Sequence, residues 1–152
     1  MINVLFFDDD PYIIFPLVEI LEKEFGWKGD KEIIPVCDTC QLLKEIYNDK
    51  IKYDLFVLDV VAPICHKGFT KEELDDIYFG FNLGLVIARK IRKMKKYKDV
   101  PILYLSARSP HIPESEKEIT FFLEKPTLEE KISNAMRILL GINSQSVDNA
   151  VH

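Results

Sequence analysis

The sequence predicts an α/β fold, a doubly wound sheet of five parallel strands with helices on both faces. Short apolar runs alternate with amphipathic helical patterns along the whole chain, the order that a parallel sheet with crossover helices demands. The apolar runs show little polar alternation, as strands covered on both faces do. A length of 152 residues, 47% hydrophobic and 30% charged, suits one domain with a buried core.

The elements follow in order. Asn3–Phe7, Ile33–Cys37, Asp54–Leu58, Val100–Leu105 and Ile119–Leu123 read as the five strands. Pro35 makes the second an edge strand or a bulged one, because proline cannot donate to a ladder. Ile14, Leu17, Val18, Leu21 and Phe25 mark a first helix, with Pro16 inside it predicting an irregular first turn. Asp10 is placed as its N-cap, with Pro11 at the first helical position. Leu42, Leu43 and Ile46 mark a second helix, opened by Asp38 with Gln41 three residues on. Leu85, Ala88, Ile91 and Met94 mark a third. Thr127 with Glu130 predicts a capping box for a last helix carrying Leu128, Ile132, Met136, Leu139 and Leu140, ended by Gly141. One folded domain is therefore expected over residues 1–141, and residues 142–152 are expected to form a disordered tail.

Composition excludes several classes. No apolar run approaches the roughly 20 residues of a membrane helix, and the start runs into Asp8-Asp9-Asp10 without the basic stretch of a signal peptide. A net charge of -5 argues against bulk nucleic-acid binding. Three cysteines cannot pair completely, so a reduced, cytoplasmic chain is expected.

In doubly wound sheets chemistry sits at the carboxyl ends of the strands. Here the first strand ends at Asp8-Asp9-Asp10, the third at Asp59, the fourth at Ser106-Ala107 and the fifth at Lys125-Pro126. Carboxylates about 4 Å apart repel by ~4 kcal/mol at an effective dielectric of 20, so such a cluster calls for a cation. Oxygen ligands with open positions suit Mg²⁺, and a lysine and a hydroxyl converging on the same point suit phosphoryl oxygens.

Asp8-Asp9 after the first strand, Asp59 with Pro63 four residues on, Ser106-Ala107 and Lys125-Pro126, in that order, resemble the receiver domain of two-component response regulators. The resemblance covers residues 2 to about 141. It implies a flavodoxin-like sheet in the order 2-1-3-4-5 and a signalling switch that takes a phosphoryl group on Asp59 from a sensor histidine kinase or phosphotransfer protein. Such a chain catalyses only its own phosphorylation and dephosphorylation. The resemblance further implies a Mg²⁺ (or Mn²⁺) site, with Asp9 and Asp59 as direct ligands, Asp8 acting mostly through water, and the backbone carbonyl of Val61. Ser106, the Ala107 backbone N–H and Lys125 would bind the phosphoryl oxygens, Phe122 would stand at the switch aromatic position, and the bond before Pro126 would be cis. Val61 and Arg108, which flank the attacking water in the resemblance, offer no proton acceptor, so slow dephosphorylation is expected.

Three departures accompany the resemblance. Residues 64–83 form an excursion between Pro63 and Gly84, whose Lys71–Asp76 stretch predicts one or two helical turns. Gly84-Leu85 is the preferred start of the third helix, with Gly80-Phe81 as the alternative. Pro110 and Pro113 shorten the fourth helix to Glu114–Glu118, which puts a standard output surface in doubt. No output domain follows Gly141, so a stand-alone receiver acting on a partner protein or relaying phosphate is expected, with target and oligomeric state unassigned.

Rival readings rest on fewer residues. Cys37-Asp38-Thr39-Cys40 is a CxxC in the strand-to-helix context of a redox pair, and Cys65-His66 offers zinc ligands without a second CxxC. Asp8-x-Asp10 with Ser106 and Lys125 matches the opening motifs of a haloacid-dehalogenase-like phosphatase, but leaves Asp59 unexplained. The basic run Arg89–Lys98 reads as a solvated helix end, or else as a patch for an anionic partner.

Overall fold

The computed structural model describes residues 1–60, 62, 67–77, 83–107, 117 and 119–142. The strands are β1 (Ile2–Phe7), β2 (Lys31–Val36), β3 (Leu55–Leu58), β4 (Ile102–Ser106) and β5 (Thr120–Glu124). The helices are α1 (Pro11–Glu24), α2 (Thr39–Ile46), α3 (Lys71–Ile77), α4 (Leu83–Lys93) and α5 (Glu129–Leu140), with one 3-10 turn at Lys95–Tyr97. The strands form one sheet in the order β2-β1-β3-β4-β5 with every pairing parallel, as expected. β2 is an edge strand, so Pro35 needs no donor on its open side.

The two-residue period of the strands divides the core. Leu5, Phe7, Phe56, Leu58 and Tyr104 point to one face, where Leu42 and Ile46 of α2 and Val86, Ile87 and Ile91 of α4 cover them. Val4, Phe6, Leu55, Val57, Leu103 and Leu105 point to the other, beneath Ile14, Val18 and Leu21 of α1 and Ile132 and Met136 of α5. Each fully buried Leu, Ile or Phe contributes roughly 1.5–3 kcal/mol. β3 is buried at every position, which its unbroken apolar run required.

The helix termini correct some local expectations. Asp10 caps α1 by accepting from the Tyr12 N–H at 2.9 Å, and the helix runs on through Pro16, which lies on the exposed side. Asp38 caps α2, accepting from the Gln41 N–H at 2.8 Å, but the Gln41 amide turns to Glu45 instead of closing a reciprocal box. The Thr127–Glu130 capping box does not form: α5 begins one residue later, with Leu128 at the N-cap and no side-chain cap. Glu129 and Glu130 in its first turn complement the positive end of the helix instead. Gly141 ends α5 in the left-handed region at φ 69°, and the Ile142 N–H reaches back to the Arg137 carbonyl.

The excursion after β3 is anchored. Thr70 and Glu73 form a reciprocal cap for α3: the Glu73 N–H donates to Thr70 Oγ1 at 3.1 Å, and the Thr70 N–H donates to Glu73 Oε1 at 2.9 Å. Ile77 enters the core, Gly68 lies against Leu43 of α2, and Lys90 of α4 pairs with Glu73. As described, α4 begins at Leu83, next to Gly84-Leu85. The alternative at Gly80-Phe81, the shortened helix over 114–118 apart from Lys117, and Pro63, Cys65, His66, Arg108, Pro110 and Pro113 lie outside the described residues, as does the tail beyond residue 142.

The cysteines depart from a wholly reduced chain and from a CxxC pair. Cys40 is disulfide-bonded while Cys37 is a free thiol, so the two are not bonded to each other. The reason is the sheet between them. Cys37 packs with the α1/α5 layer, whereas Cys40 borders a groove with Leu43 and Tyr47 on the α2 side. Much of the basic run is occupied internally: Arg89 pairs with Asp76, Lys90 with Glu73 and Lys96 with Asp49, and Arg92 donates to the carbonyls of Tyr97 and Val100. No described helix is long and apolar enough to cross a membrane.

Candidate functional site

The ends of β1, β3 and β5 converge, and the backbone ladder fixes how. The Asp8 N–H continues the β1–β2 ladder to the Val36 carbonyl at 3.2 Å. The Asp59 N–H donates to the Phe7 carbonyl at 3.2 Å, which sets Asp59 beside the β1 terminus. The Lys125 N–H donates to the Ser106 carbonyl at 3.0 Å, which ties the β5 terminus to that of β4. Parallel strands in register therefore deliver all four groups to one end of the sheet.

The side chains meet there. Asp8, Asp9 and Asp59 each offer a carboxylate oxygen, all within 4.8 Å of one another. Asp8 and Asp59 are buried, and Asp9 is half-buried. Lys125 Nζ stands 2.5 Å from Asp8 Oδ2 and 3.0 Å from Asp59 Oδ2. Asp8 Oδ1 accepts from the Asp10 N–H at 3.0 Å, so the turn itself orients that carboxylate. Asp10 points away, its side chain spent on the α1 cap. That removes the second aspartate of the dehalogenase-like reading.

The electrostatics follow from burial and charge. Burial and the neighbouring Asp8 carboxylate raise the pKa of Asp9. Burial pulls the Lys125 ammonium down, but its hydrogen bond to Asp8 and the charge of Asp59 outweigh this and leave its pKa raised. Among the described residues one ammonium thus faces three carboxylates, a balance that favours a further cation. An all-oxygen donor set of this size suits a hard divalent ion such as Mg²⁺, which keeps waters in its remaining positions. The Asp8, Asp9 and Asp59 donors fit that ion.

Around this cluster, Ser106 is buried at the end of β4 and Ala107 is exposed beside it. Phe122 is half-buried, paired in register with Tyr104, and packs on the α2/α4 layer. The Lys125-Pro126 peptide bond is cis. Val61 lies outside the described residues.

Sequence reasoning passed over two features at this end of the sheet. Tyr12, Ile13 and Phe15 of α1 are 89%, 47% and 51% exposed, and Leu128 after Lys125 is 64% exposed. Their signal was present: these α1 side chains stand off the Ile14–Val18–Leu21 stripe that meets the core. The other is the contact made by Gly84, already read as the start of the third helix: it is seated against the carbonyl of Asp59. Nothing local in the sequence marks that contact.

No protein-family model matches the chain, and no curated protein does. Solved structures do. A sensor protein from Polaromonas sp. JS666 is 22% identical, with a TM-score of 0.62 over 92% of this chain and 96% of that one. A response regulator receiver domain protein from Clostridium thermocellum is 17% identical, with a TM-score of 0.61 over 97% and 98%. The response regulator TrrA from Thermotoga maritima, solved in complex with Mg²⁺-BeF, is 26% identical, with a TM-score of 0.59 over 91% and 99%.

Proposed function

We propose that this chain, which has the fold of the response regulator receiver domains, is a phosphorylation-dependent signalling switch with Asp59 as the phosphoacceptor. The observation that carries the reading is the Lys125 ammonium held between Asp8 and Asp59 at the strand ends. A solved protein of the same fold carries Mg²⁺-BeF, which supports the same occupancy here.

Asp9 and Asp59 would hold Mg²⁺ directly and Asp8 mostly through water, with the backbone carbonyl of Val61 completing the protein ligands. Bound Mg²⁺ supplies positive charge against the phosphoryl oxygens and the clustered carboxylates. The phosphodonor is a sensor histidine kinase or phosphotransfer protein. An Asp59 carboxylate oxygen attacks the phosphorus of its phosphohistidine. The new P–O bond forms as the P–N bond breaks, and the imidazole nitrogen leaves with the electron pair. Lys125, Ser106 and the Ala107 N–H receive the phosphoryl oxygens, so their donors face the charge that develops in transfer. Phe122 occupies the switch aromatic position and acts by packing alone, since a phenyl ring has no hydrogen-bonding group.

Tyr12, Ile13 and Phe15 at the start of α1 follow the Asp8–Asp10 turn in the chain, Leu128 follows Lys125 by three residues, and all four are exposed. They provide an apolar rim on which the phosphodonor docks while its histidine reaches Asp59. The phosphorylated chain then acts on a protein partner or passes the group onward.

The test is intact mass after incubation with acetyl phosphate and Mg²⁺. The parent should gain one phosphoryl group, and Asp59→Ala should gain none while remaining folded. Labelling that persists in Asp59→Ala would assign the acceptor elsewhere.

A further inference from the structure

The helix that follows the excursion rests on the backbone of the acceptor itself. A Cβ added at Gly84 would lie 2.7 Å from the Asp59 carbonyl oxygen and 2.7 Å from Val60 Cα, closer than real side chains approach backbone. The Gly84 N–H donates to the Val60 carbonyl at 3.1 Å, so the contact is bonded as well as tight. Gly84 needs no special φ here; what it supplies is the absence of a side chain. Leu83, Val86 and Ile87 are buried around it, which leaves α4 little room to lift.

The far side of α4 is held by the excursion. Lys90 Nζ pairs with Glu73 Oε1 at 3.0 Å, with side chains only 12% and 20% exposed, and the same ammonium lies 5.2 Å from the centre of the Phe69 ring. Such shielding makes this pair stronger than an open surface bridge. Arg89 reaches Asp76 at 3.3 Å, and Ile77, the last residue of α3, is buried in the core. A continuous set of packed groups thus runs from α3 through Lys90 and α4 to the Asp59–Val60 peptide.

We propose that Gly84 is a positioning residue for Asp59, and that the docked excursion helix α3 holds α4 in the seat that fixes the Asp59 carboxylate. The proposal deepens the receiver reading and rests on it for the role of Asp59. The seat constrains the main chain one bond from the acceptor's Cα. A shift there swings the carboxylate relative to Asp8 and Asp9, which are carried on β1. An excursion that appears in sequence as an interruption before α4 is thereby an external brace on the acceptor.

Gly84→Ala and Lys90→Met test it, read by the backbone amide resonances of Asp59 and Val60, by Mg²⁺ affinity from calorimetry, and by labelling from acetyl phosphate. In Gly84→Ala the Asp59 and Val60 amides should shift and Mg²⁺ affinity should fall about tenfold, in line with the steep cost of small misplacements at a site. Lys90→Met should move the same amides in the same direction, with a loss of about threefold. A merely structural role would lower the melting temperature and leave the Mg²⁺ affinity unchanged. That result in folded Gly84→Ala overturns the proposal. Where Gly84→Ala does not fold, Lys90→Met and Glu73→Gln decide it, and unmoved Asp59 amides in both overturn it. A parent that binds no Mg²⁺ and takes no label instead defeats the receiver reading, while the amide shifts still report whether the seat acts on Asp59.

Discussion

Lys125 reaches Asp8 across 117 positions of sequence, with Nζ 2.5 Å from Oδ2, and the same ammonium lies 3.0 Å from Asp59 Oδ2. A cation already stands between two of the three carboxylates. A divalent ion at these carboxylates would compete with it for the same negative charge.

Lys125→Met therefore separates two effects. Without metal, the variant strips the Lys125 ammonium from two buried carboxylates and should be less stable than the parent. Its Mg²⁺ affinity should rise several-fold, because no ammonium competes, while labelling by acetyl phosphate slows. Thermal melts with and without Mg²⁺ check the first part through the larger metal-induced stabilisation of the variant. Equal metal responses in parent and variant would remove Lys125 from this role.

Asp9→Asn removes one of the three donors while keeping shape. Calorimetry should show a Mg²⁺ affinity reduced by about tenfold or more, since affinity for hard cations follows the number of charged ligands. Asp10→Asn should bind Mg²⁺ like the parent, because its side chain caps α1. An equal loss in both variants would mean that overall charge, not ligation, governs the site.

Phe15→Asp and Leu128→Asp address the apolar rim. Neither side chain is buried, so both variants should fold and take label from acetyl phosphate at the parent rate. Transfer from a phosphorylated histidine phosphotransfer protein should fall about tenfold, as at buried apolar anchors of protein interfaces. The ratio of the two rates is the measurement.

Glu73 gives a pH dependence with a definite sign. Burial alone would raise its carboxyl, but the Thr70 backbone hydrogen bond and Lys90 outweigh burial and hold it below its ordinary value of 4.5. A carboxyl depressed in the folded state contributes stability that is full above its unfolded value and is lost as pH falls through the folded value. Acid should therefore loosen α3 from α4 below about pH 4.5. Glu73→Gln keeps the cap, because a Gln amide oxygen still accepts from the Thr70 N–H, and removes the charge pair with Lys90, which should cost roughly 0.5–1 kcal/mol at neutral pH. It should also show a flatter fall in melting temperature between about pH 5 and 3 than the parent. Parallel curves would exclude Glu73 as the titrating group.

What the sequence determined by itself was the order of elements and the identity of the strand-end groups. Apolar runs such as Leu55–Leu58 are too short for helices and too continuous for half-exposed strands, so they had to be buried on both faces. Asp8, Asp9, Asp59, Ser106 and Lys125 were legible for the same reason: each follows the end of such a run, and parallel topology carries all those ends to one side. Local caps were less legible. Asp38 and Asp10 acted as read, but Thr127 did not, because helix starts are decided by how the helix packs as well as by side-chain preference. Only the tertiary structure decided the contacts between distant segments. It placed Cys37 and Cys40 toward different layers, fastened Glu73 to Lys90, and set Gly84 against the Asp59 carbonyl. Those relationships depend on the distance between backbones that packing brings together, and no local pattern of residue types encodes a distance.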